Sequence, residues 1–203
     1  MKLVTRLRSA GMRVMSSESF LELRRRKSRL FDKKRIETPA VHYFHQVDDP
    51  YSFLAVQKLA ALQARYNIHF ISHLVSAPSA EFKGDATRYD ACSIADASSI
   101  GAFFGVLPPF AGTVPDQRQV DHANQELVAA LVSTDPSAFA GSAIAVGESI
   151  WRRHASDDSG IQSSDTVNLA AGDALQAELG HYFGATFYFE GEWFWGLDRL
   201  HLL

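Results

Sequence analysis

The chain has 203 residues, of which 46% are apolar and 21% are charged, and its net charge is −3. These values are ordinary for a soluble globular protein, and no apolar run is long enough to span a membrane. The charged N-terminus lacks the apolar segment of a secretory signal peptide. One cysteine, Cys92, excludes an internal disulfide and a CxxC redox pair. We therefore expect a cytoplasmic protein.

Charge is distributed unevenly along the chain. Residues 1–36 carry a net charge of +9, whereas residues 37–203 carry −12. Such a basic arm suits nucleic acid, an anionic membrane surface, the acidic body of the same chain or a transit peptide. Leucine and phenylalanine interleave with the basic side chains, which favours a helix packed on its own domain. Because charge runs alone are weak motifs, we expect no nucleic-acid partner.

Beyond the boundary at Thr38-Pro39, strands and helices alternate. Strand 40–45, a helix from about Pro50 to Tyr66 and strand 68–74 form a β-α-β unit, whose strands should be parallel. Helices are then predicted over residues 93–104, 117–132, 136–154 and 169–182. The tail, residues 184–200, has the pattern of a strand, a turn at Glu190-Gly191, an aromatic strand and a helix opening at Gly196.

This order predicts an α/β, thioredoxin-like fold (βαβ … α ββ α) with an all-helical insertion after the second strand. The predicted parts are a basic helical arm over residues 1–38, a thioredoxin-like domain over residues 39–80 and 165–203, and the insertion over residues 81–164. The final helix has about one turn before Leu203 and would bury little. We therefore expect the natural polypeptide to continue, with room for a second domain, and we leave a homodimer open.

Two short motifs carry a family resemblance. They are Asp49-Pro50-Tyr51-Ser52-Phe53-Leu54-Ala55 and Phe194-Trp195-Gly196-Leu197-Asp198-Arg199-Leu200. In them the chain resembles the DsbA-like thioredoxin superfamily, closest to the 2-hydroxychromene-2-carboxylate isomerases and kappa-class glutathione transferases. The resemblance covers about residues 40–203. It implies a glutathione-linked isomerase, transferase or oxidoreductase that acts on a small molecule, with glutathione between the sheet and the helical insertion.

The resemblance also implies where the site residues lie. Asp49 stands where the family has the serine that holds the glutathione sulfur, and Ser52 matches the motif's second serine, so both are candidate catalytic residues. The implied cofactor-binding residues are Pro50, Tyr51, Lys83, Ala185, Thr186 and Asp198. Lys83 would contact the glycyl carboxylate and Asp198 the γ-glutamyl end. Ala185 stands where the family has a proline in cis.

Several of these residues have simpler interpretations. Asp49 suits an N-cap followed by Pro50 at the first helical position, and its carboxylate would disfavour a neighbouring thiolate. No proline stands directly before the third strand, and a cis bond at Ala185 without one would cost about 3 kcal/mol, so we expect a trans bond. Asp198 also suits the first turn of a helix, and Lys83 also suits a solvated loop.

These departures favour a second interpretation of the function. The chain would then be a degenerate family member, a domain that binds a ligand or partner without turnover. In that case we expect side chains such as Tyr51 or Trp195 to fill the cleft.

Eight histidines raise the question of a metal site. The close pairs are His42/His45 and His69/His73, and sheet pairing could bring His45 near His73, with Asp48 as a further ligand. Because HExxH and Cys/His spacings are missing, we expect no metal.

Two further features have structural interpretations. Cys92 is predicted near a helix start, where a thiolate is favoured, although most single cysteines are buried and inert. The aromatic run Trp193-Phe194-Trp195 is interpreted as core, with one face open to the cleft.

Overall fold

The computed structural model describes residues 39–66, 68–106, 110, 113–132, 137–152 and 169–203. The predicted basic arm lies outside these residues, and Ala40–Leu203 form one compact unit. The elements in chain order are β1 (Ala40–His45), α1 (Pro50–Arg65), β2 (His69–Leu74), α2 (Ala80–Lys83), α3 (Ala86–Phe103), α4 (Gln117–Leu131), α5 (Ala138–Arg152), α6 (Ala170–Leu179), β3 (Thr186–Phe189), β4 (Glu192–Trp195) and a final 3-10 helix (Leu197–Leu202).

The four strands form one mixed sheet in the order β2-β1-β3-β4. β1 and β2 pair in parallel, with Ala40 opposite His69, as expected when a helix connects them. β3 pairs antiparallel with both β1 and β4. Its hairpin turns at Glu190 and Gly191, both with positive φ, as two-residue hairpin turns require. The β-α-β half and the hairpin half therefore share one sheet, as predicted.

Two of the helices between β2 and β3 pack directly against α1, and a third packs on one of these two. Both α3 and α5 contact α1, and α4 contacts α5. Gly147 of α5 lies so close to the ring of Phe53 on α1 that a β-carbon would not fit without moving the ring. The core therefore continues from the sheet through α1 into the helical segment. No helix among the described residues is long and apolar enough to cross a membrane.

Some element boundaries differ from the prediction. α3 begins at Ala86 rather than at residue 93, because the side chain of Asp85 caps it by accepting from the backbone N of Arg88 at 3.1 Å. α6 ends at Leu179 rather than at residue 182, because Gly180 adopts a left-handed conformation with φ of 89°. The short helix α2 was not predicted, and the last segment is a 3-10 helix rather than the start of an α-helix.

Candidate functional site

Asp49 lies between β1 and α1 and caps the helix. Its Oδ2 accepts from the backbone N of Ser52 at 2.9 Å, and its Oδ1 accepts from the backbone N of Tyr51 at 3.4 Å. Pro50 follows at the first helical position, where a missing N–H costs nothing. The side chain of Asp49 is only 9% exposed. The structure therefore confirms the N-cap interpretation of this residue.

The hydroxyl of Ser52 is fully used by the protein. It donates to Oδ2 of Asp49 at 2.8 Å and accepts from the backbone N–H groups of Gln46 at 3.2 Å and Ala185 at 2.7 Å. A serine hydroxyl offers one donor and two acceptor positions, so all three are filled. The side chain is completely buried. Ser52 thus ties together the end of β1, the first turn of α1 and the segment that enters β3.

The segment that enters β3 lies directly over this hydroxyl. A β-carbon on Gly184 would lie 2.7 Å from Oγ of Ser52 and 3.0 Å from Oδ2 of Asp49. Ala185 has a positive φ of 53°, and its carbonyl accepts from the backbone N of Gly196 at 2.9 Å. Both backbone polar groups of Ala185 are therefore bonded within the protein. No cis peptide bond occurs in the described part of the chain, which confirms the expected trans bond.

The other candidate cofactor-binding residues have internal partners too. Thr186 is completely buried and donates its hydroxyl to the carbonyl of Phe183 at 3.0 Å. The hydroxyl of Tyr51 donates to Oδ2 of Asp96 at 2.7 Å. Lys83 Nζ lies 3.8 Å from Oδ1 of Asp90.

Asp198 differs from these residues because its side chain is largely exposed. Its Oδ2 lies 3.6 Å from Nε of Arg199, and the two side chains are 62% and 61% exposed. It directly follows the turn at Gly196, in the first turn of the final 3-10 helix. Both predicted roles, acceptor for a cationic amine and first-turn acid, suit this position.

A narrow crevice remains beside Asp49. Its volume is about 10 Å³, which is about the space that one water molecule needs. It is lined by Gln46, Asp48, Asp49, Pro50, Pro78, Lys83, Tyr89, Asp90, Ser93 and Val114. Tyr51 and Trp195, the residues predicted to fill a closed cleft, do not line it. The crevice is narrow because α2 and α3 bring Lys83 and Tyr89 up to the first turn of α1.

Burial controls the protonation of the site. It raises the pKa of Asp49 to about 6, although the hydrogen bonds from Ser52 and Tyr51 act in the opposite direction. It also raises the pKa of Tyr43, whose hydroxyl donates to the carbonyl of Ser52 at 2.9 Å. That hydroxyl lies 2.9 Å from Nδ1 of His45, and burial lowers the pKa of His45 to about 3. Among these groups only Asp49 carries a charge at neutral pH.

The side chain of His73 contacts His42, not His45, the residue that the sequence had left open as its neighbour. Nδ1 of His42 and Nε2 of His73 are 2.9 Å apart, and the two rings are stacked. Successive side chains of a strand point to opposite faces, and His45 is buried on the other face of β1. Among the described residues, no group of three His, Cys, Asp or Glu side chains could hold a metal ion.

The contribution of His45 to stability should fall as the pH is lowered below about 6.5, because His45 is buried as the neutral imidazole. Its pKa is about 3 in the folded chain and 6.5 ordinarily, so the unfolded chain binds the proton first. The stabilisation that comes from keeping His45 neutral is fully present above pH 6.5 and is lost as the pH falls towards 3. Between pH 7.5 and 5 we expect His45 to account for about 2 kcal/mol of lost stability, measured by urea unfolding.

His45→Gln should reduce this pH dependence, whereas His122→Gln, at an exposed position of α4, should preserve it. Equal pH dependence in wild type and His45→Gln would show that other groups cause the acid lability.

Two residues lie elsewhere than predicted. Cys92 is exposed and lies well inside α3, so neither the helix-start position nor the buried alternative was correct.

The aromatic run of β4, which was expected to lie in the core, is only partly buried. Phe194 is buried, but Trp195 is 46% exposed and stacks on Phe183 with ring centres 5.0 Å apart. The next residue along the strand points to the opposite face, which explains the difference.

Comparison with known proteins supports the fold. No protein family and no curated protein matches this chain. A solved structure of 2-hydroxychromene-2-carboxylate isomerase matches it with a TM-score of 0.57 and 17% sequence identity, over 80% of this chain and 91% of that chain. At this identity the likeness concerns the fold alone. Together with the sheet order, it establishes a mixed α/β, thioredoxin-like fold for this chain.

Proposed function

We propose that this domain binds a partner without carrying out glutathione chemistry at the start of α1. The hydroxyl of Ser52 carries the proposal, because its three hydrogen-bonding positions are filled by Asp49, Gln46 and Ala185. A thiolate needs a hydrogen-bond donor or a positive charge beside it. The ionised carboxylate of Asp49 is neither, and it repels a second negative charge.

The size and charge of the crevice support the same proposal. Small-molecule pockets usually have volumes of roughly 300 Å³ or more, whereas the crevice beside Asp49 has about 10 Å³. Its lining includes the carboxylates of Asp48, Asp49 and Asp90 and the single cation Lys83, which lies 3.8 Å from Asp90. Glutathione has two carboxylates of its own, so this surface would repel it.

A glutathione-linked isomerase, transferase or oxidoreductase is the second candidate. The carboxylate of Asp198 favours it, because that group is exposed at the turn after β4 and could receive a cationic amine in place of, or beside, Arg199. The structural neighbour is itself described as an isomerase. For this function α2 and α3 would have to move away from the first turn of α1 to open the crevice.

Thermal unfolding in saturating reduced glutathione separates the two candidates. A ligand that binds the native state must raise its melting temperature, so we expect no rise for the wild type. We also expect none for Asp49→Ser, because the hydroxyl of Ser52 stays bonded to Gln46 and Ala185.

A rise above about 2 °C in the wild type that disappears in Asp198→Asn would establish the second candidate and overturn the proposal. A rise seen only in Asp49→Ser would indicate an enzyme site altered at this one residue.

A further inference from the structure

Four aromatic side chains form a continuous ridge near the capped end of α1. Phe82 of α2 stacks on Tyr182 with ring centres 3.9 Å apart. Tyr182 contacts Phe183 at 4.7 Å, and Phe183 stacks on Trp195 at 5.0 Å with its ring nearly parallel. We call these four residues the aromatic ridge. It joins α2, the loop before β3 and the end of β4.

Three of the four ridge residues have large exposed fractions. Phe82 is 44% exposed, Tyr182 43% and Trp195 46%. Single exposed apolar side chains are common on protein surfaces, but contiguous ones mark interaction sites. Because the rings are already held by stacking, ordering them on binding costs little conformational entropy. Phe, Tyr and Trp are also the residues enriched in protein–protein interfaces.

The ridge adjoins the closed site through the chain itself. Phe183 precedes Gly184, which lies over Ser52 and Asp49. Phe82 precedes Lys83, which lines the narrow crevice. None of the ridge residues lines that crevice. A partner on the ridge would therefore bind an outer surface beside the site and would need no cavity.

The net charge of the described chain favours some partners over others. The described residues include 15 Asp and Glu but only 7 Lys and Arg. Near the ridge, exposed Glu81 is two residues from Lys83, and exposed Asp198 lies 3.6 Å from Arg199. The excess of acids is therefore a property of the described chain as a whole, and it attracts cations and repels anions.

This charge disfavours two other partners that use exposed aromatic rings. Single-stranded nucleic acids stack on aromatic rings but require a basic groove for their phosphates. Anionic membrane surfaces likewise attract basic segments. The net negative charge of the described chain suits neither.

We propose that the aromatic ridge docks a cationic polypeptide segment that presents apolar side chains between its basic residues. The inference rests on the proposed binding function and names the partner's chemistry. The apolar side chains of the segment pack on the ridge, and its basic residues are attracted by the net negative charge of the described chain. Charge then controls the rate of encounter, and the aromatic rings supply most of the affinity.

Fluorescence anisotropy with the full chain tests the proposal. The probe is a labelled peptide of alternating leucine and lysine, and we expect it to bind. Phe82→Ser and Tyr182→Ser should each weaken binding about tenfold. Phe103→Ser is the matched control, because Phe103 is 84% exposed but lies outside the ridge. This variant should bind the lysine peptide with the affinity of the wild type. A leucine–glutamate peptide should bind much more weakly than the lysine peptide.

Two results would overturn the proposal. One is equal affinity of the lysine peptide for wild type, Phe82→Ser and Tyr182→Ser. The other is binding to phosphatidylserine vesicles or oligo-dT that requires Phe82 and exceeds binding to the peptide. Neither result would alter the glutathione experiment, because no ridge residue contacts the hydroxyl of Ser52. Conversely, a glutathione response beside ridge-dependent peptide binding would overturn the proposed function and leave the docking surface standing.

Discussion

Replacing Ser52 with alanine should lower the free energy of unfolding by about 3 kcal/mol. The hydroxyl accepts from the backbone N–H groups of Gln46 and Ala185 and donates to Asp49. Without it, two buried donors lose their partner, and each unsatisfied group costs about 1–3 kcal/mol. The loss should exceed that of a single hydrogen bond, because the same oxygen joins three segments of the fold.

Urea unfolding measures this difference, and Ser98→Ala is the matched control. The hydroxyl of Ser98 donates only to the carbonyl of Ile94 in its own helix, at 2.8 Å. That bond is local and leaves no buried donor behind, so we expect a change below about 0.5 kcal/mol. If Ser52→Ala and Ser98→Ala had the same effect, water or a shifted side chain would have to replace the hydroxyl of Ser52. The hydroxyl of Ser52 would then not be needed to hold the three segments together.

The arrangement of the sheet could be predicted from the chain because local patterns determine it. The connection through α1 required β1 and β2 to be parallel, and the apolar and aromatic runs on either side of Glu190-Gly191 predicted the hairpin. The N-cap role of Asp49 followed in the same way from Pro50 at the next position. Each of these inferences uses residues that are close in sequence.

The details of the site depend on contacts between distant residues. The hydrogen bond from Ala185 to Ser52 links positions 133 residues apart, and no local pattern encodes it. The side-chain contact between His42 and His73 is diagonal across β1 and β2, because the register places Phe44 opposite His73. The end of α6 was predictable, since Gly180 supplies a common C-cap signal. The start of α3 likewise had a local signal, because Asp85, directly before Ala86, is a favoured N-cap residue.

Asp49→Asn should stabilise the domain by about 2 kcal/mol at pH 8. Asparagine is as good an N-cap as aspartate and can accept from the backbone N and hydroxyl of Ser52 through its carbonyl oxygen. The long hydrogen bond from Tyr51, at 3.4 Å, would be lost. Against that loss stands the removal of a buried charge, because burial raises the pKa of Asp49 from 3.8 to about 6.

The pH dependence distinguishes this cause from others. The folded chain binds a proton at Asp49 more tightly than the unfolded chain, so wild-type Asp49 destabilises the fold most above pH 6 and progressively less as the pH falls towards 3.8. The advantage of Asp49→Asn should therefore be largest at pH 8, smaller by about 1.4 kcal/mol at pH 5, and lost only as the pH approaches 4. The contributions of the histidines cancel in this comparison, because both proteins contain them.

Asp85→Asn provides the control, since Asp85 caps α3 at an exposed position and should show no such gain. Urea unfolding midpoints at pH 8 and pH 5 compare the stability of Asp49→Asn and of Asp85→Asn with that of the wild type. A loss of stability in Asp49→Asn that is the same at both pH values would mean that the fold needs the carboxylate itself. A gain that is clearly larger at pH 8 than at pH 5 would mean that the chain keeps a destabilising buried charge where a neutral cap would suffice. Residues that cost stability in this way are characteristic of functional sites, so that result would direct attention to what Asp49 contacts when a partner is bound.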